Sequence, residues 1–113
     1  MKIIDGTIPL DGLKRMAVDG FGNMVKAVVD VEREVMAVDG ELHADEEALL
    51  LENGSRQANL WGINIYPDLR MPDRIEFDSM INIRPSQGNR SRGVDSPEIR
   101  EKIVEIIQKL ITS

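Results

Sequence analysis

Residues 84–93 are the part of the chain whose side chains are best suited to chemistry. The segment RPSQGNRSRG holds three arginines, two side-chain amides, two serines and two glycines. Arginine offers forked, charge-assisted donors that match phosphate and carboxylate groups, and glycine allows the left-handed backbone that turns successive N–H groups toward an anion. We expect this arginine loop to bind a ligand through Arg84, Ser86, Gln87, Asn89, Arg90 and Arg92.

The arginine loop leads into a predicted helix, because Ser96 is a favourable N-cap and Pro97 suits the first helical position. The free N–H groups and the dipole of a helix N-terminus attract anions. The segment therefore predicts a site for a phosphate, a nucleotide or an acidic protein surface. It is neither a Walker A loop nor a Rossmann fingerprint, since the glycine spacing and the lysine are missing. The alternative is a solvated loop whose arginines pair with acidic residues of this chain or of a second copy.

Polar residues of the preceding segment extend this prediction. From residue 74 to residue 84, apolar and polar side chains alternate, which predicts a half-buried strand antiparallel to one at 60–66. Its polar face would place Asp78 and Asn82 beside the arginine loop, so we include both among the ligand-binding residues. A carboxylate and an arginine on one strand can transfer protons or stabilise charge, although a solvated sheet face is the alternative.

His43 is the only histidine, so any catalytic triad or histidine-bearing metal site must use it. The acidic residues around it match neither the H-E-x-x-H motif nor the EF-hand loop. They are explained by a helix over residues 45–53, with Asp45 as its N-cap and acids at the positive end of the dipole. We therefore expect no metal and no cofactor. No G-x-S-x-G elbow is present, which argues against a serine hydrolase.

Composition excludes several classes of protein. The 113 residues include 20 Asp and Glu against 14 Lys and Arg, and no Cys. Without Cys there is no disulfide framework, thiolate zinc site, iron–sulfur cluster or cysteine nucleophile, and a net charge of −6 argues against broad nucleic-acid binding. No apolar run reaches the roughly 18 residues of a membrane span, so we expect no membrane partner. The excess acid lies in residues 1–52, which hold 12 acids and 5 bases, whereas residues 53–95 hold 5 acids and 6 bases.

Hydrophobic periodicity predicts the elements that must position these groups. The order is β-α-β-β-α-β-β-α in a single domain over residues 1–113, and the simplest arrangement is an α+β fold. In it, a mostly antiparallel sheet has its helices packed on one face. The predicted strands cover 1–4, 24–31, 34–38, 60–66 and 74–84, and the predicted helices cover 9–19, 45–53 and 97–112.

Three segments resemble a known family: Gly40–Glu47, Gly54–Pro67 and Ile75–Val94. Together with the order of elements, they resemble small prokaryotic proteins that are described only as a domain of unknown function. The resemblance covers about residues 2–112. It implies a single-domain, cytoplasmic protein, and it brings no activity, cofactor or catalytic residue.

Three functions stay open on the sequence. The first, which we favour, is a small soluble binding protein whose arginine loop recognises a small anionic ligand or an acidic protein surface. The second is a hydrolase acting on a phosphorylated or nucleic-acid substrate with His43 or Asp78, which requires His43 to lie near the arginine loop. The third is a structural homodimer in which the acidic first half of one copy meets the basic loop of the other.

Overall fold

A computed structural model describes residues 1–113, with a five-stranded sheet in the order β1-β4-β3-β5-β6. Every neighbouring pair in this sheet is antiparallel, and β2 and β7 form a separate parallel pair. The strands are β1 Lys2–Ile4, β2 Ile8–Pro9, β3 Val25–Asp30, β4 Val35–Val38, β5 Leu60–Ile65, β6 Ile75–Glu76 and β7 Ile111–Thr112. The helices are α1 Leu10–Asp19, α2 His43–Glu52 and α3 Pro97–Leu110. The predicted α+β class and the mostly antiparallel sheet are confirmed.

Helices cover both faces of the sheet, whereas the sequence predicted them on one. Val25, Ala27 and Val29 of β3 point into the core that α1 and α3 share. Val28, on the opposite face, packs in a second cluster with Leu50 of α2. The two consecutive valines are the reason, because a strand that is apolar at successive positions must be buried on both sides. None of the three helices has the length and apolar content that a membrane crossing requires.

The long strand predicted over residues 74–84 is wrong, because only Ile75–Glu76 pairs with β5. The chain then leaves the sheet and forms two short 3₁₀ turns, Met80–Asn82 and Pro85–Gln87. The alternation that predicted the strand places Ser79 on the buried side. A buried hydroxyl group needs a partner, and the Ser79 hydroxyl accepts a hydrogen bond from the N–H of Ile81, which begins a turn.

A side-chain amide replaces the strand beside the middle of β5. Asn82 is fully buried, its Oδ1 accepts from the N–H of Gly62 at 2.8 Å, and its Nδ2 donates to the Gly62 carbonyl at 2.9 Å. These are the two bonds that a neighbouring strand would make. Gly62 has no side chain at the place where Ser79 packs, and a Cβ there would lie 2.5 Å from the Ser79 Cβ. We call this contact between Gly62, Ser79 and Asn82 the amide clamp.

Replacing Asn82 tests the amide clamp. Asn82→Ala leaves the N–H and carbonyl of Gly62 without partners inside the protein, and we expect it to lower the free energy of unfolding by about 3 kcal/mol. Urea titration measures the change. Ser86→Ala, an exposed change in the same region, should stay within about 0.5 kcal/mol of wild type. Equal stabilities of the two variants would contradict the role given to Asn82.

Candidate functional site

A row of polar side chains crosses one end of the sheet, on the face that α2 covers. Lys26 of β3 lies opposite Asn64 of β5, and Asn64 lies opposite Glu76 of β6. Residues paired in this way point to the same side of a sheet. Between this row, the start of α2 and the segment after β6 lies a cavity of about 440 Å³, whose lining includes His43 and Arg92. We call this cavity the α2 pocket.

The N-terminus of α2 lies at this pocket without a cap. The helix begins at His43, two residues before the predicted start at Asp45, and Leu42 at the cap position offers no side-chain hydrogen bond. The N–H groups of Asp45 and Glu46 bond to the Leu42 carbonyl, whereas those of His43 and Ala44 have no partner in the protein. His43, Ala44 and Leu42 all line the pocket. Two unpaired backbone donors and the positive end of the helix dipole are therefore available to a ligand.

His43 is nearly buried and has a defined tautomer. Its Nε2 lies 2.7 Å from the carbonyl oxygen of Ile63, and because a carbonyl only accepts, the proton must be on Nε2. Nδ1 makes no hydrogen bond and remains an acceptor or a base. Burial lowers the pKa of His43 below its usual 6.5, so the ring is neutral at pH 7.

Arg92 and Asp78 form an ion pair at the edge of the α2 pocket, with 2.6 Å between Nε and Oδ1. Only Nε of the guanidinium makes a hydrogen bond, so the two terminal nitrogens remain free. Lys26 also lines the pocket and has no ion pair. The pocket therefore offers two cations, of which one is unpaired and the other has a free fork of donors.

The polar row also holds one unsatisfied acceptor. Asn64 is 6% exposed, and its Nδ2 donates to Glu76 Oε1 at 2.8 Å. The Tyr66 hydroxyl donates to the same carboxylate oxygen at 3.2 Å. The Oδ1 atom of Asn64 is buried and has no hydrogen-bond partner. A buried polar atom without a partner is costly, so the polar row carries an unsatisfied hydrogen-bond acceptor.

Two residues of the arginine loop hold it against the start of β5. The Arg84 guanidinium donates to the carbonyls of Gln57 and Leu60 and lies over the Trp61 ring, 4.2 Å from its centroid. The amide of Gln87 donates to the carbonyl of Ala58 at 2.7 Å. These contacts use the donors that the sequence assigned to a ligand.

The rest of the loop binds its own backbone. Asn89 is buried, and its Nδ2 donates to the carbonyls of Asn82 and Gly93 at 2.7 and 2.9 Å. The carboxylate of Asp95 accepts from the Arg90 N–H at 3.0 Å and from the Ser91 hydroxyl at 2.6 Å. A side chain of the protein itself thus occupies a backbone donor that the predicted anion site would use.

The structure divides the eight predicted ligand-binding residues into two sets. Asp78 and Arg92 line the α2 pocket. The other six lie outside it: Asn82 in the amide clamp, Arg84, Gln87 and Asn89 in the loop's own contacts, and Ser86 and Arg90 with exposed side chains. His43 joins the first set, so it lies near one arginine of the loop, as the hydrolase hypothesis requires.

Lys26 is the residue of the pocket that sequence reasoning missed. Its signal was present, because it is the one charged side chain between Val25 and Val29. A lysine within an apolar strand must reach water, a partner or a cavity. No group of His, Asp and Glu in the chain is arranged to hold a metal ion.

Glu46 is a buried acid one turn into α2. It is fully buried, its Oε2 accepts from the Gly40 N–H at 2.9 Å, and its Oε1 has no partner. Burial raises the pKa of this carboxyl to about 9, so it is protonated at neutral pH. The sequence analysis had counted Glu46 among the acids that suit the positive end of the helix dipole. Because it reaches back to Gly40 instead, it fixes the start of α2 at the pocket.

Replacing Glu46 by its neutral isostere tests this burial. The carboxyl keeps its proton in the folded state up to about pH 9 and releases it near 4.5 when unfolded, so stability falls as the pH rises between these values. Glu46→Gln keeps an acceptor for Gly40 and cannot ionise. We expect the free energy of unfolding of this variant to exceed that of the wild type by about 2 kcal/mol at pH 8, and by less at pH 5. Urea titrations at both pH values measure this difference, with exposed Glu101→Gln as the control. A loss of stability at pH 8 would contradict a neutral Glu46.

Comparison with known proteins gives one match. The model of a family described as "Protein of unknown function (DUF5674)" matches residues 2–110. This match confirms the resemblance carried by the three segments of the sequence. No curated protein and no solved structure matches the chain.

Proposed function

We propose that the chain, which belongs to the DUF5674 family, binds a small anionic ligand in the α2 pocket. The description of the family names no activity, so the proposal rests on the geometry of the pocket. The proposal keeps the cytoplasmic, prokaryotic setting that the resemblance implies. It moves the anion site predicted on the arginine loop to the α2 pocket, which one arginine of that loop lines.

The observation that carries the proposal is the uncapped N-terminus of α2 at a cavity that two cations also line. The N–H groups of His43 and Ala44 are unpaired, and Lys26 and Arg92 line the same cavity. An anion there would receive backbone and charge-assisted side-chain hydrogen bonds together. Asn64, a nine-tenths buried residue whose Oδ1 has no hydrogen-bond partner, also lines this cavity. This second feature separates the pocket from an ordinary exposed helix end.

The carboxylates of the pocket restrict the ligand. Asp78 is paired with Arg92, and Glu76 accepts from Asn64 and Tyr66. These two carboxylates balance the charge of the two cations, and they would repel a highly charged polyanion. A single compact anionic group fits this distribution better.

Two matched arginine variants test the location of the site. We expect inorganic phosphate to raise the melting temperature of the wild-type protein, because a ligand that binds the folded state stabilises it. Arg92→Gln removes a charge-assisted contact and should weaken phosphate affinity about tenfold. Arg90→Gln removes an exposed guanidinium of the same loop and should leave the affinity unchanged. The reverse pattern would return the site to the loop, and the absence of any shift with phosphate would reject the proposal.

The same pocket favours one second candidate, a hydrolase acting on a phosphorylated substrate. His43, Asp78 and Arg92 line one cavity, and the neutral His43 ring has a free Nδ1 that could accept a proton from water. The water would attack phosphorus as the bond to the departing alcohol breaks, and Arg92 would stabilise the charge on the phosphoryl oxygens.

Release of phosphate from p-nitrophenyl phosphate tests this candidate. If the protein is a hydrolase, His43→Gln should lower turnover at least about a hundredfold and retain phosphate binding. Activity should rise with pH through the lowered pKa of His43, since only the neutral ring is a base. Turnover that is absent in wild type, or unchanged in the variant, rejects catalysis by His43 and leaves the binding proposal intact.

The homodimer and the acidic protein partner stay predictions from the sequence. Both would use the basic loop, in which the guanidinium groups of Arg90 and Arg92 are exposed. Sedimentation at low and high salt distinguishes them from a monomer that binds a small molecule, because salt weakens contacts between exposed charges.

A further inference from the structure

A second cavity adjoins the α2 pocket. It has a volume of about 650 Å³, and Met24, Lys26 and Leu42 line both cavities. The two cavities therefore share part of their walls; we call the two together the cleft, and the three shared residues the ridge. Both volumes are in the range of about 300–1,000 Å³ that is typical of small-molecule sites.

The second cavity has an exposed aromatic wall. Phe21 is 49% exposed, although large aromatic side chains normally lose most of their surface in folded proteins. Leu42 on the ridge is 59% exposed. The ammonium group of Lys26 lies 5.4 Å from the Phe21 ring centroid, so the cation of the ridge is next to the aromatic face. An apolar, planar ligand body would cover this surface.

The polar groups of the second cavity are mainly acceptors. Asp19, Asp39 and Glu41 line it, and Lys26 is the one cationic side chain in its lining. Carboxylates accept hydrogen bonds from N–H groups and repel a second phosphate. An acyl chain would offer these carboxylates no hydrogen-bond donor. The body of the ligand should therefore combine a flat apolar surface with N–H donors at its edge.

We propose that the cleft binds a nucleoside monophosphate, with its phosphate in the α2 pocket and its base against Phe21 in the second cavity. This inference rests on the proposed function, because it uses the same anion site. Lys26 on the ridge contacts the phosphate side and the aromatic side of the cleft. The exocyclic amino group of the base donates to the carboxylates of the second cavity.

Titration calorimetry with AMP, CMP and inorganic phosphate tests the proposal. We expect at least one nucleotide to bind at least about tenfold more tightly than phosphate, because stacking on an aromatic ring adds to the anion contacts. Phe21→Ala should remove most of this gain and leave phosphate affinity unchanged, whereas Arg92→Gln should weaken both ligands. Leu69→Ala is the matched control, since Leu69 is 44% exposed and lines neither cavity. Unchanged melting temperatures without ligand show that the variants fold.

The outcomes separate this inference from the proposed function. If phosphate binds and neither nucleotide binds more tightly, the nucleotide assignment is overturned and the anion site stands. If a nucleotide binds tightly and Phe21→Ala has no effect, the position of the base is wrong and the inference is overturned. If neither phosphate nor nucleotide binds, both proposals fail.

Discussion

The amide clamp holds both the chain segment after β6 and the backbone of Arg92 against β5. Asn82 satisfies both backbone groups of Gly62, and its Nδ2 also donates to the carbonyl of Arg92. The N–H of Ser79 donates to the same carbonyl. The backbone of Arg92 is therefore held by two groups that are themselves held against β5. Because Gly62 has no Cβ, this chain segment lies closer to the sheet than any other residue would permit.

The amide clamp determines the position of Arg92, one of the two cations of the α2 pocket. Arg92 is carried to the end of the sheet where Lys26 emerges, and its side chain pairs with Asp78 without using its terminal nitrogens. On the other side, α2 is fixed by two nearly buried polar side chains, His43 bonded to Ile63 and Glu46 bonded to Gly40. Both anchors use side chains and leave the first N–H groups of the helix unpaired. The helix N-terminus and the two cations thus line one cavity, and both would stabilise an anion bound there.

Much of the fold was predictable because it depends on local periodicity. The predicted bounds are correct to within two residues for strands β3, β4 and β5 and for helices α1 and α3. Apolar residues with a period of 2 lie on one face of a strand, and those with a period of 3.6 lie on one face of a helix, so the period indicates the element. The failures share a cause. The segment after β6 alternates as a strand does, but the buried amide of Asn82 competes for the backbone of Gly62. The start of α2 carries good capping residues, but burial of Glu46 moves the helix start to His43.

The candidate site was predictable only in its parts. The sequence identified Arg92, Asp78 and His43 as chemically capable residues, and the structure brings all three to one cavity. It also favoured Arg84 and Asn89, because residue type alone does not tell whether a donor faces a ligand or the protein's own carbonyls. Lys26 received no role, since its importance depends on the register that places it opposite Asn64.

The amino-acid sequence by itself determined the class of the fold, the excluded chemistries, the family resemblance and the stock of polar groups from which a site can be made. These properties depend on composition and on neighbours along the chain. Only the tertiary structure decided which arginine of the loop lines the pocket, that α2 begins without a cap, and that two cavities share Lys26. The physical reason is that a hydrogen-bond donor pairs with an acceptor that is adjacent in space and not along the chain. Gly62, Asn82 and Arg92 become neighbours only after the sheet has formed.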